Sequence, residues 1–351
     1  MSEPRSPRRP ESSPRPESLP RQESSPRQEP SPRPRSLLRP RALRPGDRVA
    51  VLCVSGPVEA GPLATGLDAL RFAGLEPVVY PSATEPGSFR DYLAGDDKTR
   101  AVDFVAALTD PDISGIVFAK GGYGAQRTLE AVHWGSLSGL RPKIVAGYSD
   151  ITAILEAVAV KLGWASLFSP MAAVREKEAH YSFGSLLRTL TRPESALEIS
   201  YPDAVTVTGG TARGVTMGGT LTLLASSVGT ETSWPARGGI LLLEDVEEEP
   251  YRLDRMLTQL RRSGYLDGVA GIVTGTFTDC GPREEVHEIL TERLGDLRVP
   301  MISWANVGHG GKFQTFPVGV AAELDADSGV LRLLDPPLVP SPPLASQHLR
   351  G

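Results

Sequence analysis

The chain has 351 residues, 40% of them hydrophobic and 23% charged, with a formal net charge of -5 at pH 7; that is length enough for two modest domains with apolar cores. No run approaches the roughly 18 apolar residues of a membrane-spanning helix and no apolar core follows the N-terminal arginines, so neither a span nor a Sec signal peptide is expected and the compartment reads as cytoplasmic. The acidic balance, without a basic face in the folded part, speaks against nucleic acid as a partner.

Residues 1–41 repeat Ser-Pro-Arg and Pro-Glu-Ser, with almost no apolar side chain before Leu37 and Leu38. Such a tract buries too little surface to offset its ordering entropy and reads as a disordered leader. Residues 42–175 read as an N-terminal α/β domain. Arg48–Val54, Glu76–Tyr80 and Gly115–Ala119 are short apolar strands, and they alternate with helical spacing over Leu63–Ala73 and Lys98–Leu108. Alternation of this kind signals a mainly parallel sheet covered on both faces. Cys53 and the distant Cys280 belong to no C-x-x-C pair and read as buried small hydrophobes.

The third strand runs into Lys120-Gly121-Gly122-Tyr123-Gly124. Glycines at the carboxyl end of a parallel strand allow close backbone approach to a ligand, although the spacing is neither GxGxxG nor a P-loop, and a tight turn would use the same residues. Next, Ile144–Ala146 reads as a buried strand, Gly147-Tyr148-Ser149-Asp150 as a turn and Ile151–Leu162 as a helix. Ser149 therefore stands between a strand end and a helix start, where a nucleophile elbow exposes its hydroxyl beside backbone N–H groups. A serine or aspartate there can equally serve as a plain helix cap.

Residues 176–202 read as a linker region with a helix, residues 203–337 as a C-terminal β/α domain, and residues 338–351 as a frayed tail. In the C-terminal domain, short strands around Gly209-Gly210 precede a helix near Leu221–Leu224. Gly239–Leu243 is a buried strand whose end carries Glu244 and Asp245. A helix runs from Pro250 through Leu260, Gly268–Gly275 is a strand, residues 284–294 are a helix, and Pro300–Ser303, Val318–Leu324 and Val330–Leu333 are strands. Glu244 has the strand-end placement of an orienting acid, with a salt bridge to Arg252 or Arg255 as its alternative use. Of the five histidines, His348 falls in the tail, His180 and His287 in polar helical contexts, and His133 packs beside Trp134. His309, between Gly308 and Gly310, is the one placed as a loop base. The histidines and cysteines do not cluster, so no metal and no cofactor is expected. Glycosidase chemistry on the acidic run Glu247–Glu249 is disfavoured, because sugar-binding aromatics are scarce and Ser149 would be left unexplained.

The motifs Arg44-Pro-Gly-Asp47, Lys120–Gly124, Gly147-Tyr-Ser-Asp-Ile-Thr-Ala153, Leu243-Glu-Asp-Val-Glu-Glu-Glu-Pro-Tyr-Arg-Leu-Asp-Arg255, Gly308-His309 and Pro317-Val-Gly319 together resemble the LD-carboxypeptidase family of serine peptidases. That family includes muramoyl-tetrapeptide carboxypeptidases and microcin C self-immunity peptidases. The resemblance spans about Leu43 to Pro337. It implies Ser149 as nucleophile, His309 as base and Glu244 as orienting acid, with the N–H groups of Gly122 and Asp150 as the oxyanion hole. Lys120, Gly121 and Tyr123 become substrate-binding candidates. It also implies a site at the interface of the two domains, a small peptide substrate and, by analogy, a homodimer. Three positions depart from the family pattern: Lys120 stands for Arg, Phe168-Ser169-Pro170 for His-Gly-Pro, and Thr220 for Asn. Lys removes bidentate recognition and Thr removes an amide donor, so the departures bear on substrate rather than reaction type. The leading expectation is release of a terminal D-alanine from a muropeptide in peptidoglycan recycling. The alternatives are an amidase acting on a peptidyl or aminoacyl nucleotide analogue, with Trp304 or Phe313 stacking its base, and a non-catalytic binding module.

Overall fold

A computed structural model describes residues 35–84, 90–174 and 182–341. His180, His348, most of the leader, the start of the linker region and the last ten residues of the tail lie outside the described residues. The first half of the chain alternates β1 (Arg48–Leu52), α1 (Ala60–Phe72), β2 (Glu76–Val79), α2 (Asp97–Thr109), β3 (Ile113–Phe118), α3 (Ala125–Glu130), β4 (Ile144–Gly147), α4 (Thr152–Leu162) and β5 (Ser166–Phe168). β3 and β4 bury nearly every side chain, as strands covered on both faces must. Asp96 caps α2 by accepting from the Thr99 amide at 2.6 Å, and α4 stops at Gly163, which takes the left-handed conformation.

The remaining strands are β6 (Glu198–Ser200), β7 (Val205–Thr208), β8 (Thr211–Thr220), β9 (Gly239–Val246), β10 (Gly271–Thr278), β11 (Met301–Ser303), β12 (Phe316–Val318), β13 (Ala321–Asp325) and β14 (Val330–Leu333). Two sheets result, ordered β12-β5-β4-β3-β1-β2 and β6-β14-β13-β8-β9-β10-β11-β7. The first is parallel from β5 to β2, with β12 antiparallel at its edge. The second is parallel through β8, β9, β10 and β11 and antiparallel outside them. This is the expected pairing of a parallel-sheet α/β lobe with a mixed β/α lobe. In the first sheet the connections diverge from β1, to β2 on one side and to β3 on the other. The loops after β1, β3 and β4 therefore open on one carboxyl edge, where α/β sheets bind ligands.

Several boundaries differ from the sequence reading. The run Val318–Leu324 is not one strand: Gly319 takes φ +85 and breaks it, so that β12 joins the first sheet and β13 the second. Residues 203–337 thus contribute a strand to the other lobe. At the leader's end, Leu37 donates its amide to Gly319 and Leu38 to Gly163, so residues 37 and 38 belong to the packed chain. Val339, assigned to the tail, pairs with the same segment through Pro40 and Ala42. Helix Gly184–Thr191, within the linker region, buries Leu186 and Leu190 in the core of the first lobe. His133 is exposed, and Trp134 packs on Phe104 without it.

Glu156 on α4 ties the lobes together. Its Oε1 accepts from the Trp234 amide at 3.2 Å and the Tyr265 hydroxyl at 3.1 Å. Burial pushes its carboxyl up to about 7 against the pull of these donors and of Ser227, and burial together with the neighbouring Glu244 charge pushes Asp245 up to about 6. Between the ordinary carboxyl values and these raised ones each group binds a proton in the native state that the unfolded chain releases, so the stability they contribute is present at acid pH and lost as pH rises through about 6 and 7. Melting temperature should therefore rise between about pH 8 and pH 5.5. Glu156→Gln should flatten that rise in thermal melts; an unchanged slope would show that the group does not titrate there.

Candidate active site

Ser149 follows β4 with φ 63, a left-handed conformation uncommon for a non-glycine residue. It opens the 3-10 turn Ser149–Ile151 that feeds α4. The turn holds the serine half-exposed while Asp150 and Ile151 point inward. Its amides lie at a helix start, where the first N–H groups have no intrahelical partner. Gly121 packs against this turn so closely that a Cβ there would stand 3.0 Å from Ser149 Cβ and 3.2 Å from its Oγ. A side chain at 121 would displace the hydroxyl.

The Asp150 side chain caps neither its own turn nor α4. Its Oδ2 accepts from Ser55 Oγ at 2.6 Å and from the Ala125 amide at 2.7 Å. One buried carboxyl thereby joins the loop after β1, the Ser149 turn and the end of the glycine loop. Burial pushes that carboxyl up, and its hydrogen bonds oppose the shift. The Gly56 amide donates to Gly121 O at 2.9 Å and holds the same loop from the other side. Gly122, with φ 104, is exposed, and its N–H donates to no described group. Tyr123 is exposed as well, edge-on to Tyr92 at 5.8 Å between ring centroids.

In the second lobe, Glu244 at the end of β9 has no exposed surface. Its Oε2 accepts from His309 Nδ1 at 2.8 Å and from the His309 amide at 3.1 Å. Its Oε1 accepts from Thr220 Oγ1 at 2.5 Å. Neither Arg252 nor Arg255 reaches it; Arg252 pairs with Glu248 at 3.5 Å instead. Gly308 makes the contact possible, since a Cβ there would lie 2.2 Å from Glu244 Oε2 and φ is +108. For His309, burial pulls the imidazole pKa down, but the hydrogen bond and charge of Glu244 outweigh it with help from Asp245 and Glu247, and the net shift is upward.

Tyr148 links the two halves. Its ring centroid lies 4.8 Å from that of His309 and 4.9 Å from that of Phe313, so the residue beside Ser149 touches the histidine loop. Ser149 and His309 form no hydrogen bond among the described residues. A cavity of about 430 Å³ opens here between the lobes, lined by Lys120 and Tyr148 from one and by His309 and Phe313 from the other. Its size suits a small ligand. Trp304 faces a separate cavity behind the glycines of this loop, with the Arg283 guanidinium 4.5 Å over its ring. The two thiols are buried, which pushes Cys53 up to about 12 and Cys280 up to about 11 and leaves both unreactive. No three metal-ligating side chains converge among the described residues.

Ser55, Thr152 and Thr220 all touch this arrangement; sequence reasoning gave Ser55 and Thr152 no part in it and read Thr220 only as a departure bearing on substrate, not as a partner of Glu244. Their contacts cross 95, 68 and 24 residues of chain, and no local pattern encodes such contacts.

Residues 49–169 match the model of the LD-carboxypeptidase N-terminal domain, and residues 213–324 that of the LD-carboxypeptidase C-terminal domain. A Streptomyces coelicolor protein named as a carboxypeptidase, SCO6489, is 47% identical over 302 residues, which are 86% of this chain and 97% of its own. The murein tetrapeptide carboxypeptidase of Pseudomonas aeruginosa is 32% identical over 80% of this chain and 94% of its own. The microcin C7 self-immunity protein MccF of Escherichia coli is 26% identical over 68% of this chain and 78% of its own. The solved structure of MccF with glutamyl sulfamoyl guanosine shares the fold, with a TM-score of 0.77 at 23% identity over 86% of this chain and 100% of that one.

The Glu244 contact makes His309 a measurable group. Followed by NMR of the imidazole carbon, His309 should titrate above the ordinary histidine value of 6.5. Glu244→Gln, which removes the charge but keeps the shape, should bring the midpoint down; a midpoint that stays put would mean the pair is not formed in solution.

Proposed function

The chain belongs to the LD-carboxypeptidase family of serine peptidases, and from that membership we propose that it hydrolyses the LD-peptide bond of a muropeptide stem and releases the terminal D-alanine, as a cytoplasmic step of peptidoglycan recycling. The observation that carries the reading is the Glu244–His309 pair, facing through Tyr148 the turn that strains Ser149.

In this reading Nδ1 of His309 donates to Glu244, which leaves Nε2 unprotonated and free to act as base. Ser149 Oγ attacks the carbonyl carbon of the L-centre as its proton passes to His309. The tetrahedral oxyanion is met by the N–H groups of Gly122 and Asp150, a contribution of about 10²–10³ in rate per donor. Collapse breaks the amide bond, and His309 returns its proton to the departing amine of the D-amino acid. Water activated by the same histidine then hydrolyses the ester and frees Ser149. The hydrogen bond between Ser149 and His309 that this step needs forms with substrate in place, since catalytic hydrogen bonds are often long or poorly aligned without it.

A carboxypeptidase must recognise a terminal carboxylate, and Lys120 brings an ammonium to the cavity wall beside the glycine loop. As a point charge it can pair with that carboxylate without the bidentate geometry of arginine. The nucleotide-conjugate alternative has less support. Among the described residues Phe313 is 3% exposed between Tyr148 and Phe168, and Trp304 is covered by Arg283. Phe313 is thus packed among rings, and Trp304 lines a different cavity from the one beside His309.

Mass spectrometry of the purified chain with an L-Ala-D-Glu-(diamino acid)-D-Ala muropeptide tests the proposal. Wild type should remove one D-alanine, and Ser149→Ala should lose on the order of 10³-fold or more in turnover. Product from neither protein would refute the muropeptide assignment. Lys120→Met should raise KM about tenfold with a smaller change in kcat, as loss of ground-state carboxylate binding requires.

A further inference from the structure

Thr220 ends β8, directly beside Glu244 in the parallel register of β8 and β9, and is 3% exposed. Its two polar donors point to different lobes. The hydroxyl donates to Glu244 Oε1 at 2.5 Å, and the amide donates to Thr152 Oγ1 at 3.1 Å. Thr152 is fully buried, is the first residue of α4 and lies three positions after Ser149. A continuous path of contacts therefore runs from the Ser149 turn through Thr152, Thr220 and Glu244 to His309, and its polar crossing between the lobes is the Thr220–Thr152 hydrogen bond.

We propose that Thr220 is a positioning residue for the hydrolysis: its hydroxyl turns the Glu244 carboxylate so that Oε2 faces His309, and its amide sets the serine-bearing helix in register with that acid. The inference rests on the Ser149, His309 and Glu244 roles proposed above. A buried carboxylate with one oxygen unpaired can rotate toward other donors and away from the one its second oxygen faces. The Thr220 hydroxyl satisfies Oε1 and leaves Oε2 to the histidine. The charged and titratable groups facing His309 are Glu244, with Asp245 and Glu247 further off, Tyr148 against its ring, and Lys120 and Glu59 in the wall of the same cavity. A change at 220 removes none of them and acts only on the orientation of Glu244.

The test uses the full chain with Thr220→Val, Thr220→Ser and Thr152→Val, reading kcat and KM on the muropeptide and the His309 titration by NMR. Thr220→Val keeps the amide and the shape but loses the hydroxyl. It should lower kcat about 10- to 100-fold with KM within about twofold, and move the His309 midpoint downward, because a carboxylate no longer held with Oε2 toward the ring favours the imidazolium less. Thr220→Ser should restore both readouts. Thr152→Val removes only the acceptor for the amide, and should lower kcat while leaving the titration in place. If Thr220→Val does not fold, Thr220→Ala loses the same hydroxyl with less demand on space and is measured in its stead. A hydroxyl-free variant with wild-type kcat and titration would overturn the proposal, as would a Thr220→Ser variant as impaired as Thr220→Val, since shape alone would then be at work. A wild-type chain that leaves the muropeptide uncut would count against the substrate instead; the His309 titration needs no substrate and still decides the role of Thr220.

Discussion

Glu244 has no surface in water, and an ionised carboxylate in that position costs several kcal/mol unless donors meet both of its oxygens. The second lobe is built around meeting them. Parallel pairing of β8 with β9 sets Thr220 beside Glu244, and the loop after β11 returns His309 so that its backbone and its ring reach the same oxygen. That loop can pass so close only because residue 308 is glycine. Breaking either contact would strand a buried charge, so the arrangement is held cooperatively.

The first lobe solves a similar problem with Asp150. Its carboxyl is also buried, and its partners come from the loop after β1 and from the start of α3. The effect is to clamp three strand-end loops at the carboxyl edge of the sheet, which is where the Ser149 turn and the glycine loop must keep their spacing. Strain at Ser149 persists because this surrounding structure over-determines it. Two buried acids, one in each lobe, thus set the two halves of the site, and neither needs to take part in bond making.

What joins the halves is apolar and aromatic as much as polar. Tyr148, Phe168, Phe313 and His309 pack ring against ring across the lobe boundary, and β12 threads from the second half of the chain into the first sheet. Departures from the family pattern at 168 and 220 fall at this boundary. Phe168 supplies one of the rings and Thr220 a polar tie, so both positions take part in how the lobes meet.

Short-range patterns made much of this legible beforehand. Buried runs ended by turns located β1, β3, β4 and β9, and the change from an apolar strand to helical spacing placed Ser149 at an elbow. Glu244 stood out as an acid after an apolar strand, and His309 as a histidine between glycines. Each of those signals lies within a few residues, where periodicity and turn chemistry operate. The Gly319 break, the packing of Leu37 and Leu38, the capping of another helix by Asp150 and the two-sided role of Thr220 were not legible. They depend on partners tens to hundreds of residues away, and a threonine or a glycine has the same local preferences whether or not such a partner arrives. By itself the sequence determined which elements form and which side chains could do chemistry; only the tertiary structure decided which buried polar atoms meet, because burial and pairing are properties of the packed lobes and not of any one segment.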